Sequence, residues 1–223
     1  MSHAGHHGPM RITKFGHACV RIESGGTVLV IDPGSWSEVE SVHGASAVLV
    51  THEHPDHLSI DNLAATDAPV YTIAAVAEAI ASASSDVTER VTTVAPGDQL
   101  DLGLPVRVVG EKHAVIHPDL PRFDNSGFLV EAEGRRIFHP GDALTEVIED
   151  VDLQFLPVHA PWNKYSEVLD YARAVGAARN VAIHDMLLSD KGLALLERMF
   201  GQGLGEREQS YQRVAAGQDL DLG

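Results

Sequence analysis

The stretch VLVTHEHPDHLS, residues 48–59, decides how this chain reads. Its opening continues an apolar run, 47–51, that lacks polar alternation and therefore predicts a strand buried on both faces. Directly after it come His52, His54, Asp56 and His57, on a loop that Pro55 forces to turn. In extended chain, residues two apart point the same way, so His52 and His54 can reach one ion together. The turn at Pro55 re-aims Asp56 and His57 towards a second position. Imidazole nitrogens suit zinc and similar divalent ions, and a carboxylate adds charge and a hard oxygen. Three histidines and an aspartate packed this closely behind a buried strand point to a metal site rather than to a solvated polar loop.

Outward from this stretch, short β-prone runs punctuated by Gly, Pro and Asp predict strands at 11–15, 19–23 and 27–31, with Gly25-Gly26 as a hairpin turn. Helices are expected at 59–65, capped by Ser59, and at the Ala-rich 74–83. Strands return at 91–94, 99–102, 106–109, 127–132 and 135–139. Helix and strand then alternate: helices at 144–149, 166–175 and 192–200, strands at 153–157 and 181–184. This mixture predicts an α/β sandwich, two β layers inside and helices outside. VAPGDQLDLG at 94–103 and VAAGQDLDLG at 214–223 echo each other and read as two similar edge hairpins.

The chain has 223 residues, enough for one domain with a substantial core, expected over 10–223. Residues 1–9, MSHAGHHGP, lack the basic-then-apolar layout of a secretory signal and read as a disordered leader or an expression remnant. With 16 Lys+Arg against 32 Asp+Glu, the formal net charge is −16, which disfavours nucleic acid and anionic lipid as partners. No apolar run reaches the roughly 18 residues of a membrane span. Cys19 is the single cysteine, so disulfide frameworks and cysteine-rich zinc modules are excluded, and the cytoplasm is the expected compartment. Of 13 histidines, His3, His6 and His7 fall in the leader and the rest in the body of the chain.

The pattern His-x-His-x-Asp-His resembles the signature of the metallo-β-lactamase-fold superfamily. FGHACVRIE (15–23) and VLVIDPG (28–34) are similar to the branch of metal-dependent hydrolases that includes L-ascorbate-6-phosphate lactonase. GEKHAVIH (110–117), NSGFLVE (125–131), IFHPGDA (137–143), FLPV (155–158) and VAIHDM (181–186) follow in that family's order. The resemblance implies a four-layer αβ/βα sandwich and a dinuclear centre. It implies that His52 and His54 hold one metal with a histidine of the third motif, for which His113 is favoured over its rival His117. Asp56, His57 and His184 would hold the second metal, and Asp142 would bridge the two. Ala143 stands where the family often has Thr. The residues agree without the family: His113, Asp142 and His184 each follow a predicted strand, as His52 does, and such loops converge.

The expected activity is hydrolysis of a small ester, lactone or phosphodiester. Two divalent ions (zinc, or else manganese or iron) would make hydroxide available at neutral pH, with Asp56 and Asp142 as the catalytic carboxylates. Neither a Ser nor a Cys nucleophile is needed, and Cys19 reads as a buried hydrophobe. Candidate substrate contacts are His17, His117, Asn125, His159, Trp162 and Lys164, with Arg122 at the entrance. An aromatic beside a cation in APWNKYSE (160–167) suggests an anionic small molecule held by Lys164. Asp32 is a candidate to orient a ligating imidazole; His139 is expected to steady the Asp142 loop, and His43 to be an ordinary loop residue. The alternatives are a metal-containing binding or sensor protein without turnover, a nuclease of the same superfamily, or an iron-dependent redox use of the cage.

Overall fold

The structure, a computed structural model, describes residues 9–222. The expected leader, with His3, His6 and His7, lies outside the described residues except for Pro9.

β1 (Arg11–Lys14), β2 (Val20–Ser24) and β3 (Thr27–Ile31) form an antiparallel meander. Gly25 and Gly26, at φ 60° and 86°, supply the two left-handed positions its β2–β3 turn requires. β4 (Ala47–Val50), β5 (Val70–Thr72) and β6 (Val91–Thr93) then add in parallel. α1 (Ile60–Ala64), α2 (Ala74–Ala83) and the short α3 (Ser85–Thr88) make the crossovers. With β14 (Gln218–Asp219) on β1, the first sheet has seven strands in the order β14-β1-β2-β3-β4-β5-β6.

The second sheet repeats this plan. β7 (Gln99–Asp101), β8 (Pro105–Val109), β9 (Gly127–Ala132) and β10 (Arg135–His139) are antiparallel. β11 (Leu153–Pro157), β12 (Arg179–Ile183) and β13 (Ser210–Gln212) follow in parallel, linked by α4 (Tyr165–Val175) and α5 (Asp190–Gly205). β7 and β14, from the two echoing segments, occupy the antiparallel edge of their respective sheets.

The strand pattern explains the layers. Leu49 points into the core between the sheets, with Ile12, Leu29, Phe128 and Phe155. Its neighbours Val48 and Val50 point outward to Leu63, Val76 and Ile80 of α1 and α2. That is why 47–51 shows no polar alternation: both faces are covered. On the other side Leu129, Phe138 and Leu156 meet Val168, Tyr171, Ala172 and Val175 of α4, spaced as one helical stripe. Gly176, at φ 73°, ends that helix in the left-handed conformation. This is the four-layer αβ/βα sandwich.

Several boundaries differ from expectation. No helix forms at 144–149. The side chains of this segment are claimed individually: Leu144 and Val147 pack on the α4 layer while Glu149 pairs with Arg107. Ile148 is left 98% exposed, so a helix would have no complete apolar stripe to bury. The last helix is longer than expected, reaching Gly205, and β5, α3 and β13 were not anticipated because three- and four-residue elements carry too little periodicity. Among the described residues no helix is long and apolar enough to cross a membrane.

Candidate metal centre

The carboxyl ends of β3, β4, β10 and β12 bring Asp32, His52, Asp142 and His184 to one end of the sandwich. β8 ends at Val109, four residues before His113, and a bridge between Lys112 and Asp124 holds the intervening loop. Two groups of donors result. His52, His54, His113 and Asp142 form one; His17, Asp56, His57 and His184 form the other; donor atoms within each lie within 4.8 Å. Asp142 joins them. Its Oδ2 is 3.1 Å from His184 Nε2, 3.5 Å from His113 Nε2 and 4.0 Å from His52 Nε2, and its Oδ1 is 3.2 Å from His57 Nε2. His52 Nε2 and His54 Nδ1 are 3.0 Å apart, near the roughly 3.3 Å of two nitrogens sharing a tetrahedral ion.

The imidazoles are oriented by their far nitrogens. His57 Nδ1 donates to Asp32 Oδ2 (2.7 Å), His184 Nδ1 to the His159 carbonyl (2.6 Å), and His113 Nδ1 to the Ala114 carbonyl (2.6 Å). His52 Nδ1 lies 3.0 Å from Thr51 Oγ1, whose own proton goes to Asp32 Oδ2 at 2.8 Å. The Nε2 atoms of these four rings are thereby turned inward. His57 Nε2, His113 Nε2 and His184 Nε2 crowd around the Asp142 carboxylate at 3.1–3.5 Å, and they and Asp142 Oδ1 are buried without any hydrogen bond of good geometry. An unsatisfied buried polar atom costs about 1–3 kcal/mol, so a site with several is incomplete without an ion, and the donor chemistry fits a divalent metal.

The surrounding backbone is built for this. His17, Asp32 and His184 adopt positive φ (57°, 52° and 58°), a conformation uncommon outside glycine that concentrates at functional sites. A Cβ at Gly34 would overlap the backbone of Asp56 and His57, so only glycine lets the two loops approach so closely. Asn125 lies beneath Asp142: its Oδ1 accepts the Asp142 N–H at 3.0 Å and its Nδ2 donates to the Pro140 carbonyl at 2.9 Å. Behind His184, Asp185 receives Lys14 Nζ at 2.8 Å and Arg213 Nε at 3.2 Å, a buried ion pair tying the two sheets together.

Burial lowers the His52, His54 and His17 imidazoles, so these stay neutral. Burial also opposes charge on His57 and His184, but the carboxylates outweigh it. Asp142 and Asp32 hold His57 well above its usual value, and Asp142 and Asp56 push His184 up to about 9. Burial would raise Asp142, but His57 and His184 hold it well below the carboxylate range; His17 and His184 do the same for Asp56.

The other candidates fall in different places. His17 is buried within the second group, its Nε2 3.1 Å from Asp56 Oδ2. Trp162 faces the centre, its ring 5.3 Å from His113 and 6.2 Å from His184. His117 stands outside, 61% exposed, beside Asp119. Arg122 donates from Nε to the His113 carbonyl at 2.8 Å. Lys164 is exposed and pairs with Glu167 at 3.0 Å. His159 contributes its carbonyl, while Asn125 supports the Asp142 loop from below. His139 donates to the Ala18 carbonyl at 2.8 Å and accepts the Gly141 N–H at 3.2 Å, and His43 is exposed. Sequence reasoning missed Thr51, Lys14, Asp185 and Arg213, whose partners are remote in the chain, and Trp36, whose ring sits 4.7 Å from His17.

Comparison with known proteins identifies the family and the fold. Residues 11–184 match the family described as the beta-lactamase superfamily domain. The chain is 43% identical over 186 residues to Protein Rv0786c of Mycobacterium tuberculosis, covering 81% of this chain and 86% of that one. It is 28% identical over 202 residues to the UPF0173 metal-dependent hydrolase ABC2731 of Shouchella clausii, covering 78% and 85%. The metallo-beta-lactamase fold protein YhfI of Bacillus subtilis shares its fold, with a TM-score of 0.70 at 16% identity over 96% of this chain and 99% of that one. Relatives such as the Shouchella clausii protein carry the name metal-dependent hydrolase, and the chain itself belongs to the β-lactamase superfamily.

Proposed function

We propose that the two donor groups hold a pair of divalent ions, zinc or else manganese or iron, and that the protein hydrolyses a small ester, lactone or phosphodiester. The observation that carries this reading is the convergence of buried donor atoms of His57, His113, His184 and Asp142 that make no well-formed hydrogen bond. In this reading His52, His54 and His113 would hold one ion, Asp56, His57 and His184 would hold the other, and Asp142 would serve both. Such ions lower the pKa of water, so that a nucleophile exists at neutral pH, and polarise the scissile group. Asp56 and Asp142 stay ionised at neutral pH and supply the negative charge that retains the ions. Asp32, Thr51 and the His159 and Ala114 carbonyls fix the tautomers that leave each Nε2 free. Trp162 flanks the centre beside His113 and His184.

Elemental analysis of protein purified without added metal, followed by turnover of a panel of lactones, thioesters and phosphodiesters, tests the proposal. Bound zinc, manganese or iron, and activity abolished in a folded Asp142→Asn variant, are expected. Bound metal with no turnover across the panel would point instead to a sensor.

A further inference from the structure

Trp36, Met186 and Leu187 are large apolar side chains left 39%, 56% and 52% exposed, and they converge on one open groove of about 550 Å³ completed by Ser35, Ser37 and Glu38. Scattered exposed hydrophobics need no explanation, but a contiguous apolar patch does. This one adjoins the candidate centre. The Trp36 ring contacts His17, whose Nε2 is 3.1 Å from Asp56, and Met186 and Leu187 follow His184 in the chain. Ser35 donates its N–H to the Pro55 carbonyl at 2.7 Å, fastening the Trp36 loop to the loop that carries His54 and Asp56.

We propose that this groove binds an uncharged hydrocarbon arm of the substrate, making the protein selective for esters or lactones with an apolar chain; the inference rests on the hydrolase reading above. Its charge argues the same way. The single charged lining residue is Glu38, an acid whose carboxylate accepts the Gly16 N–H at 2.8 Å. A phosphate or carboxylate would meet no cation there. Lys14 is committed to Asp185 and Lys164 to Glu167. Methionine adapts to chains of differing shape. In the reaction, water adds to the acyl carbon and the acyl–oxygen bond breaks. The acyl group leaves as a carboxylate, the oxygen leaves as an alcohol, and one proton passes to solvent. The anionic small molecule suggested by Lys164 is not the ligand this groove fits.

Two measurements test the groove. In the metal-loaded protein, kcat/KM for p-nitrophenyl acetate, butyrate and hexanoate should rise about fourfold per methylene. The rise should flatten in Met186→Ser/Leu187→Ser and persist in Met186→Leu. Separately, in a Trp162→Phe background, Trp36 fluorescence should report 1-butanol, 1-hexanol and 1-octanol binding with a similar gain per methylene. A flat alkanol series, or a slope unchanged by the double substitution, overturns the groove. Alkanol binding with the expected slope, but no turnover of any ester, lactone or phosphodiester, supports the groove and overturns the hydrolase reading alone.

Discussion

Replacing Asp32 by Asn tests whether ring orientation, rather than donor count, makes this centre. Asp32 is fully buried and accepts three bonds: the Thr51 N–H at 2.8 Å on Oδ1, and the Thr51 hydroxyl at 2.8 Å and His57 Nδ1–H at 2.7 Å on Oδ2. Asn has nearly the same shape and tolerates the left-handed backbone at φ 52° as well as Asp does. Its oxygen can keep the Thr51 N–H, but its NH₂ then meets the His57 Nδ1–H donor against donor, and the Thr51 hydroxyl must turn from donor to acceptor. His57 can relieve this only by giving up its Nδ1 proton and keeping the one on Nε2, the atom 3.2 Å from Asp142 that an ion would use. The opposite amide orientation orphans the Thr51 N–H instead, at about 1–3 kcal/mol. Loss of such an orienting partner costs about 10–100-fold in metal affinity, or roughly 1.4–2.7 kcal/mol. Competition with a chromogenic zinc chelator measures it, with circular dichroism confirming the fold. An affinity within twofold of the unsubstituted protein would refute the reasoning.

Metal uptake at pH 7 should release protons from His57 and His184, both held above their usual value in the metal-free protein. The stability His184 contributes to that form is complete below about 6.5 and is lost as pH rises through about 9, so metal affinity should increase over the same range. Calorimetry in two buffers of different ionisation enthalpy detects the release, and identical heats would rule it out. The Cys19 thiol, fully buried and pushed by that burial up to about 12, should resist aromatic disulfide reagents at pH 8 until the protein is unfolded in guanidinium; rapid native labelling would contradict this. Lys14→Met strips one cation from buried Asp185 and should cost about 3 kcal/mol, the low end for a broken buried pair because Arg213 remains at 3.2 Å. Urea denaturation tests it, and a loss under about 1 kcal/mol would mean the pair is not needed.

What the chain determined locally was readable. The unbroken apolar run 47–51, the turn at Pro55 and the two-residue spacing of His52 and His54 are matters of side-chain alternation and covalent reach. The Gly25-Gly26 turn, the Ser59 cap and the stripe of α4 are equally short-range. The order of the motifs through His184 carried the sandwich as well. The proposed helix at 144–149 failed because Leu144, Val147 and Glu149 are packed separately and Ile148 is left in solvent, so no single apolar face would be buried.

Tertiary structure decided everything that depends on which distant segments meet. It placed His113 among the donors and left His117 in solvent, although four residues separate them in the chain. It also set Asn125 beneath Asp142, drew Lys164 to Glu167, and closed Lys14 on Asp185 across the two sheets. The apolar groove likewise joins residues near 36 to residues near 187. Sequence spacing constrains neighbours within a turn or a strand, but contacts between remote loops follow from how two sheets stack, and that stacking minimises the whole core's exposed surface rather than any one segment's.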